Sequence, residues 1–261
     1  MGLPAWTGVI AAIVICALVG VLVELVAYRP VRRKGTSMSA LITAIAMSLL
    51  LENLAQAIPA MGPNPRVISD EIFSTAPMSL GGVSVNMAAV ITIVIAAVVM
   101  AALQIFVQKT KLGRAMRAVS ENKEASTLVG INVNRTIVTT FAIGSGLAAV
   151  AALMYCAQYH TVTTTMGSML GLKAFVAAVM GGIGLIPGAM LGGIVVGIIE
   201  ALVTAYISSS LANAVVFLIL IVMLLVKPAG ILGKNVGEPE QQETARLQDP
   251  PHGPQRAGRT V

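Results

Sequence analysis

Long apolar stretches alternate with short polar ones along the chain, and this pattern predicts a bundle of membrane-spanning helices. A helix needs about 20 mostly apolar residues to cross the roughly 30 Å hydrocarbon core of a bilayer. We therefore predict an all-α, polytopic transmembrane bundle with about seven spans. The apolar stretches lie at 4–27, 38–59, 86–107, 136–157, 168–183, 189–206 and 212–226.

The fifth and sixth stretches are the weakest of the seven, because glycine and proline lie between them. The segment 181–193 reads GGIGLIPGAMLGG and holds Pro187. Irregular backbone at membrane depth must be covered by protein or line a cavity. The composition fits either a tight hairpin between two helices or a re-entrant break.

The polar segment 109–135 is too long for a tight turn and has helical patterning of its own. It carries six basic and two acidic residues. We interpret it as a structured segment presented to a partner; the alternative is a solvated loop whose charge only fixes the topology. One helical face is predicted by spacing from Leu112, Ala115, Met116 and Val119, and a second, short apolar face from Leu128 and Ile131.

Charge patterning orients the predicted spans. Segments 28–37 and 109–135 each carry an excess of basic residues, whereas segment 61–85 holds Arg66 against Asp70 and Glu71. Basic loops face the cytoplasm, so the chain is expected to start outside and end inside. The transmembrane domain is then 1–236, followed by a polar cytoplasmic tail at 237–261 that we predict to be disordered.

Composition excludes several classes of function. The chain is 56% hydrophobic and 11% charged, with a net charge of +6. Basic residues beside membrane spans account for that charge without nucleic acid. Cys16 and Cys156 lie in apolar stretches and indicate neither a disulfide nor a metal site. No phosphate-binding glycine loop and no hydrolase motif occurs, so we expect no enzyme and no cofactor.

Four ionisable residues lie within the predicted spans, where each costs about 2.5 to 3.5 kcal/mol at a helix centre. Glu24 is near the cytoplasmic end of the first span and is expected to snorkel to the interface. Glu52 belongs to a polar stripe that is a candidate substrate path, with Ser48 and Gln56 one turn away on either side and Asn53 beside it.

Lys173 and Glu200 are the other two charges within spans. They can neutralise one another, or either can act with Glu52 across the bundle. A structural ion pair that fixes helix register and a role in the substrate path are both open. A strip of small residues on the sixth span is expected to let another helix approach closely: Ala189, Gly193, Gly197, Ala201 and Ala205.

A transport protein without an energy source of its own is a channel, an ion-coupled carrier, or one subunit of a pump whose motor is another chain. Segment 124–130 reads EASTLVG and resembles the E-A-A-x-x-x-G loop by which permeases of bacterial ATP-binding-cassette importers dock on their ATPases, with serine replacing the second alanine. The surrounding GRAMRAVSENKEASTLVGINVNR, and the later MGSMLGLKAFVAAVMGGIGLIPGAMLGG and FLILIVMLLVKPAGILG, are similar to branched-chain amino acid permease subunits of the H type. The resemblance covers residues 20–234.

This resemblance implies a permease in the bacterial inner membrane, surrounded by lipid, that moves branched-chain amino acids by alternating access. Its partners would be two ATPase subunits, a second homologous permease and a periplasmic binding protein. A urea or short-amide permease of the same family and an ion-coupled carrier are the alternatives. The carrier would need an ion site, for which Glu52, Lys173 and Glu200 are the candidates. The residues expected to couple to the ATPase are Arg114, Arg117, Glu121, Glu124, Ala125 and Gly130.

One departure from the family pattern concerns the start of the chain. Permeases of this family begin with at least one further span that carries an Asn-Phe-Ala-His-Gly signature. No such sequence precedes residues 9–28 here. We expect the chain to be short at its N-terminus, with an in-frame apolar segment encoded upstream.

Overall fold

Helices make up most of the described protein, which confirms the predicted fold class. The computed structural model describes residues 5–34, 37–58, 62, 64–67, 78–80, 83–182, 184–227 and 230–231. Asp70, Glu71 and the predicted tail at 237–261 lie outside the described residues. The helices are α1 (Ala5–Val23), a π-helical turn (Glu24–Tyr28), α2 (Arg29–Lys34), α3 (Ser37–Ala57), α4 (Met87–Lys109), α5 (Lys111–Glu121), α6 (Lys123–Leu128), α7 (Val133–Tyr159), α8 (Met166–Gly181), α9 (Ile186–Tyr206) and α10 (Ser209–Val226).

Each predicted apolar stretch coincides with a helix, but not every helix is long enough to span a membrane by itself. With its 16 residues, α8 is about 24 Å long, less than the hydrocarbon core of a bilayer. α3 has 21 residues and is longer than α8. The total of seven crossings therefore stays a prediction. Five described helical stretches are long and apolar enough to cross: Thr7–Arg32, Met87–Lys109, Val133–Tyr159, Ile186–Tyr206 and Ser209–Val226.

The chain divides into two compact units, Met1–Gly171 and Leu172–Val261. In the first unit, α1 packs against α7 through a glycine. A methyl group added at Gly20 would overlap the Ser145 hydroxyl, and the ring of Tyr28 lies 5.0 Å from that of Phe141. The missing Cβ lets the two backbones approach closely, as is usual for helix contacts in membranes.

Short strands mark one end of α7 and a polar contact marks the other. Four strands form two antiparallel pairs: β1 (Arg66–Val67) with β4 (Thr161–Val162), and β2 (Met78–Leu80) with β3 (Val83–Val85). β4 follows the end of α7, whereas Arg32 donates a hydrogen bond to Asn134 at its start. Because α7 has 27 residues and is about 40 Å long, Arg32 and the strand Arg66–Val67 lie near opposite ends of it. The side of the membrane on which each end lies stays a prediction.

The core of the second unit is formed by valine, alanine and methionine from three helices. Residues 182–185 join α8 to α9, with 183 outside the described residues, and both predicted alternatives, a tight hairpin between two spans and a re-entrant break, stay predictions. A methyl group at Gly192 would overlap the carbonyl oxygen of Ala177, so the helices touch through their backbones. The buried cluster comprises Val176, Ala177, Met180, Val196 and Val216.

The predicted strip of small residues does not make this contact within the chain. The row that packs is Gly188, Gly192 and Val196, which are buried. Gly193, Gly197 and Ala201 lie one position further along and are exposed. An added methyl group at Gly197 would meet no atom within 4 Å. A packing role for this strip stays a prediction.

The prediction that Glu24 snorkels to the interface is wrong. Its side chain is 0% exposed, and Arg32 Nη2 lies 2.9 Å from its Oε1 atom. The buried carboxylate lies at the first residue of the π-helical turn, beside a basic residue two turns further along. The pattern of apolar residues gave no sign of this turn.

Candidate functional site

The segment 109–135 begins with a tight corner between α4 and α5. The Thr110 side-chain oxygen accepts a hydrogen bond from the Gly113 amide at 3.0 Å, and its hydroxyl donates to the Phe106 carbonyl at 2.7 Å. A methyl group at Gly113 would overlap the backbone of Val107. Thr110 therefore caps both helices, and the segment is ordered from its first residues.

One face of α5 is buried in the first unit and the other is exposed, as the spacing predicted. Val119 is buried, Ala115 and Met116 are half-buried, and Leu112 lies at the exposed margin of this face. Three of the expected coupling residues lie on the exposed face, where they are free to meet a partner: Arg114, Arg117 and Glu121.

The short helix α6 is held at its start by Asn122. The Asn122 side-chain oxygen accepts hydrogen bonds from the amides of Glu124 at 2.9 Å and Ala125 at 3.0 Å. The buried Ser126 hydroxyl donates to the Asn122 carbonyl at 2.7 Å. Asparagine is a preferred residue at this position. Asn122 was not among the predicted residues, although an asparagine just before an acidic first turn is a recognised start signal for a helix. Glu124 and Ala125 themselves are exposed.

Gly130 ends this helical segment in a turn that few other residues allow. Its φ angle is +85°, in the region that glycine adopts without a steric penalty. Its amide donates to the Thr127 carbonyl, and the Ile131 amide donates to the Ser126 carbonyl, both at 3.0 Å. Gly130, one of the expected coupling residues, therefore forms the exit turn of the segment.

Two apolar side chains stand out at the tip of the segment. Leu128 is 89% exposed and Val129 is 82% exposed. The predicted face of Leu128 with Ile131 is wrong, because the turn at Gly130 separates the two and only Ile131 is half-buried. We call Leu128 and Val129 the apolar tip.

The polar stripe on α3 is less coherent than its spacing suggested. Ser48 and Asn53 are exposed and donate to backbone carbonyls within their own helix. Glu52 is half-buried and accepts a hydrogen bond from the Ser168 hydroxyl at 2.7 Å. Gln56 is half-buried on the next turn. Ser168 was not among the predicted residues, because nothing in the sequence relates it to a residue so distant along the chain.

Lys173 and Glu200 form an ion pair in the second unit. The Lys173 ammonium lies 2.5 Å from Glu200 Oε1, with the two side chains 22% and 33% exposed. Of the predicted alternatives, the structure shows the pairing with one another. Both side chains are partly exposed, so a role in a substrate path stays a prediction.

These features first indicate the class of protein, and the comparisons then give its family. Within the described part of the chain, no three His, Cys, Asp or Glu residues come together as metal ligands. A polytopic helical protein with a capped, basic segment between two long apolar helices fits the class of membrane transport subunits. The chain belongs to the branched-chain amino acid transport system permease component family, whose model matches residues 1–226.

Relatives from three bacteria agree with this family. The chain is 39% identical over 232 residues to the high-affinity branched-chain amino acid transport system permease protein BraD of Pseudomonas aeruginosa, covering 86% of this chain and 73% of that protein. It is 43% identical over 235 residues to LivH of Escherichia coli and 42% identical over 236 residues to LivH of Salmonella typhimurium, covering 87% of this chain and 74% of each relative. No solved structure matches the chain significantly.

Proposed function

We propose that this chain is the membrane-spanning permease subunit of an ATP-binding-cassette importer that translocates branched-chain amino acids by alternating access. The permease family and the names of the relatives support the substrate class. The chain supplies the path, and separate ATPase subunits supply the energy. We further propose two ATPase subunits, a second homologous permease and a periplasmic binding protein as its partners.

The observation that carries the proposal is the architecture of segment 109–135. Capped helices hold Arg114 and Glu124 outward on a base that is buried in the first unit. A partner that displaces this surface would also displace the helices behind it, because α5 is packed against the bundle. Closure of the ATPases on ATP would displace the segment and switch the bundle between its outward and inward openings.

The orientation follows from the same segment. Arg32 and Asn134 place the two basic segments at one end of α7, and the β1–β4 pair places residues 66–67 at the other. Positive charge marks the cytoplasmic side, so we propose that segment 109–135 and the C-terminus are cytoplasmic. The strand pair then lies on the periplasmic side of an inner membrane, where a binding protein would deliver substrate.

The apolar tip offers a sharp test of ATPase docking, since the chain contains a matched control. Val129→Ser removes an exposed apolar side chain from the tip, and Val67→Ser removes an equally exposed one, at 81%, from the opposite end of α7. We expect Val129→Ser to lower co-purification of the ATPase subunits and Val67→Ser to leave it unchanged. Equal ATPase recovery with both variants, at equal permease yield, would refute docking at the tip.

Glu52 is our proposed contact for the substrate within the first unit. A branched-chain amino acid carries an ammonium, a carboxylate and an apolar side chain, so an acidic group on an apolar wall suits it. Its half-buried carboxylate already accepts one hydrogen bond from Ser168, which would fix its orientation toward a ligand.

Single cysteines would test this path after the native Cys16 and Cys156 are replaced. Positions 48, 52 and 56 should react with a membrane-impermeant thiol reagent, and leucine should protect position 52. Leu50, which is exposed on the same helix, is the control and should react only with a lipid-soluble reagent. Unreactive cysteines at all three positions, with normal uptake by Glu52→Gln, would make the stripe a packing feature.

A further inference from the structure

We propose that Glu24, Arg32 and Asn134 form a polar latch that fastens the exit of segment 109–135 to the first span and passes its movement to that span during transport. The inference rests on the proposed function, because it assigns the route by which the coupling movement reaches the bundle. All three residues lie in the first unit, outside the residues predicted to touch the ATPase.

The latch is a chain of two polar contacts centred on Arg32. Its Nη2 atom lies 2.9 Å from Glu24 Oε1 and donates a hydrogen bond to Asn134 Oδ1 at 3.1 Å. Asn134 comes two residues after Asn132, whose side chain caps α7 by accepting from the Arg135 amide at 3.1 Å. A displacement of segment 109–135 therefore reaches Arg32 through the first turn of α7.

The π-helical turn brings Gly20, Tyr28 and Arg32 onto one face of the first span. All three contact α7. In an unbroken α-helix, the twelve residue steps from Gly20 to Arg32 would make about 3.3 turns and leave the two about 120° apart. A π-helical turn takes up one additional residue, so the remaining eleven make about 3.1 turns, and the two face the same way to within about 20°.

A contribution to stability does not explain the buried carboxylate of Glu24 at the π-helical turn. Its side chain is 0% exposed, yet among the described residues neither carboxylate oxygen accepts a hydrogen bond of good geometry. The Arg32 contact is close in distance but is misaligned as a hydrogen bond. The Arg29 Nε atom beside this turn is also buried without a hydrogen-bond partner in the described structure.

A buried charge without good hydrogen bonds lowers the stability of the fold. A well-packed apolar residue at the same position would give equal or greater stability. A contact of this kind is easily exchanged for another arrangement, and π-helical turns are frequent at functional sites. We assign the turn as the bistable element: loss of its additional residue would rotate Arg32 away from α7 and release Asn134. Arg32 and Glu24 are thus positioning residues for transport, and touch neither ATP nor substrate.

The test compares coupling with folding in the complete complex, with its ATPase and binding-protein partners, in proteoliposomes. The double variant Glu24→Gln, Arg32→Gln removes the latch without leaving a buried charge unpaired. Asn134→Ala opens it at the other end. Arg135→Gln removes a neighbouring exposed arginine and is the control for lost positive charge. Each complex is assayed for membrane yield, ATP hydrolysis and uptake of radiolabelled leucine.

We expect the double variant and Asn134→Ala to assemble normally and hydrolyse ATP, while the ATP consumed per leucine imported rises about tenfold, as expected for a loss of about 1.4 kcal/mol of coupling. Arg135→Gln should keep the wild-type ratio. If both latch variants keep that ratio, the contacts are structural only and the proposal is overturned.

If the double variant fails to assemble, Asn134→Ala, which leaves Glu24 and Arg32 paired, decides the matter by the same ratio. Failure of the proposed function would look different. A wild-type complex that imports no leucine with ATP would refute that function, whereas an active wild type with unchanged latch variants would refute the latch alone.

Discussion

The two compact units use the same two devices, a glycine contact and an ion pair, but place them differently. In the first unit, Gly20 lies under Ser145, and the acid of the ion pair, Glu24, is 0% exposed. In the second, Gly192 lies under a backbone carbonyl, and the pair of Lys173 with Glu200 stays partly open. The first unit therefore buries a charged side chain, whereas the second unit leaves its charges partly exposed and is closely packed at a backbone contact.

This difference shows which substitution each unit will tolerate. Removing the partner of a fully buried charge such as Glu24 leaves that charge uncompensated, which is far more costly than the net value of the pair. A partly exposed pair can turn to a polar neighbour or to water. A substitution at a glycine in a backbone contact cannot be accommodated in this way, because the overlapping atom belongs to the main chain and not to a flexible side chain.

The largest effect is expected from Arg32→Gln. The variant leaves Glu24 buried and unpaired, so the free energy of unfolding should fall by about 3 kcal/mol or more. Thermal unfolding of the purified protein in detergent measures the loss. Adding Glu24→Gln should restore most of the stability, and a double variant as unstable as the single one would show that the charge is not the cause.

A smaller loss is expected from Gly192→Ala in the second unit. Its methyl group would overlap the Ala177 carbonyl oxygen, so α8 and α9 must separate at a cost of about 1 to 3 kcal/mol. Gly197→Ala is the matched control on the same helix, because nothing lies within 4 Å of its added methyl group. Equal Tm values for the two variants would contradict the close contact of α8 and α9.

The smallest effect is expected at the open ion pair. A double-mutant cycle of Lys173→Met and Glu200→Met should give a coupling energy of about 1 kcal/mol, as is usual for polar contacts between membrane helices. Uptake by the double variant separates the two predicted roles. Normal uptake would make the pair structural, and strongly reduced uptake at normal stability would place it in the substrate path.

Features that depend on neighbours in sequence were predictable, and features that depend on distant contacts were not. The inner face of α5 and the turn at Gly130 follow from local spacing and from a conformation that favours glycine. The partner of Glu52 did not follow, because Ser168 lies in another helix and carries no distinguishing signal. Asn122 was predictable from its place before an acidic first turn and was overlooked.

The strip of small residues on α9 shows a second limit of prediction from sequence. Residues 188, 192 and 196 and residues 189, 193 and 197 are adjacent rows on one helix, both rich in small side chains. A period of four identifies such rows but not which of them faces a neighbour. The π-helical turn is harder still, since a single additional residue within a helix changes no hydrophobic period and becomes visible only in the backbone.

Leucine uptake by reconstituted complexes is the decisive measurement of whether segment 109–135 couples this permease to ATP hydrolysis. Glu124→Lys reverses an exposed charge on α6, and Gly130→Pro prevents the φ of +85° at the exit turn. We expect both variants to insert at normal yield and to lose ATP-driven uptake, while Gly197→Ala retains it. Normal ATP-driven uptake by both variants would show that the segment does not couple the permease to the ATPase.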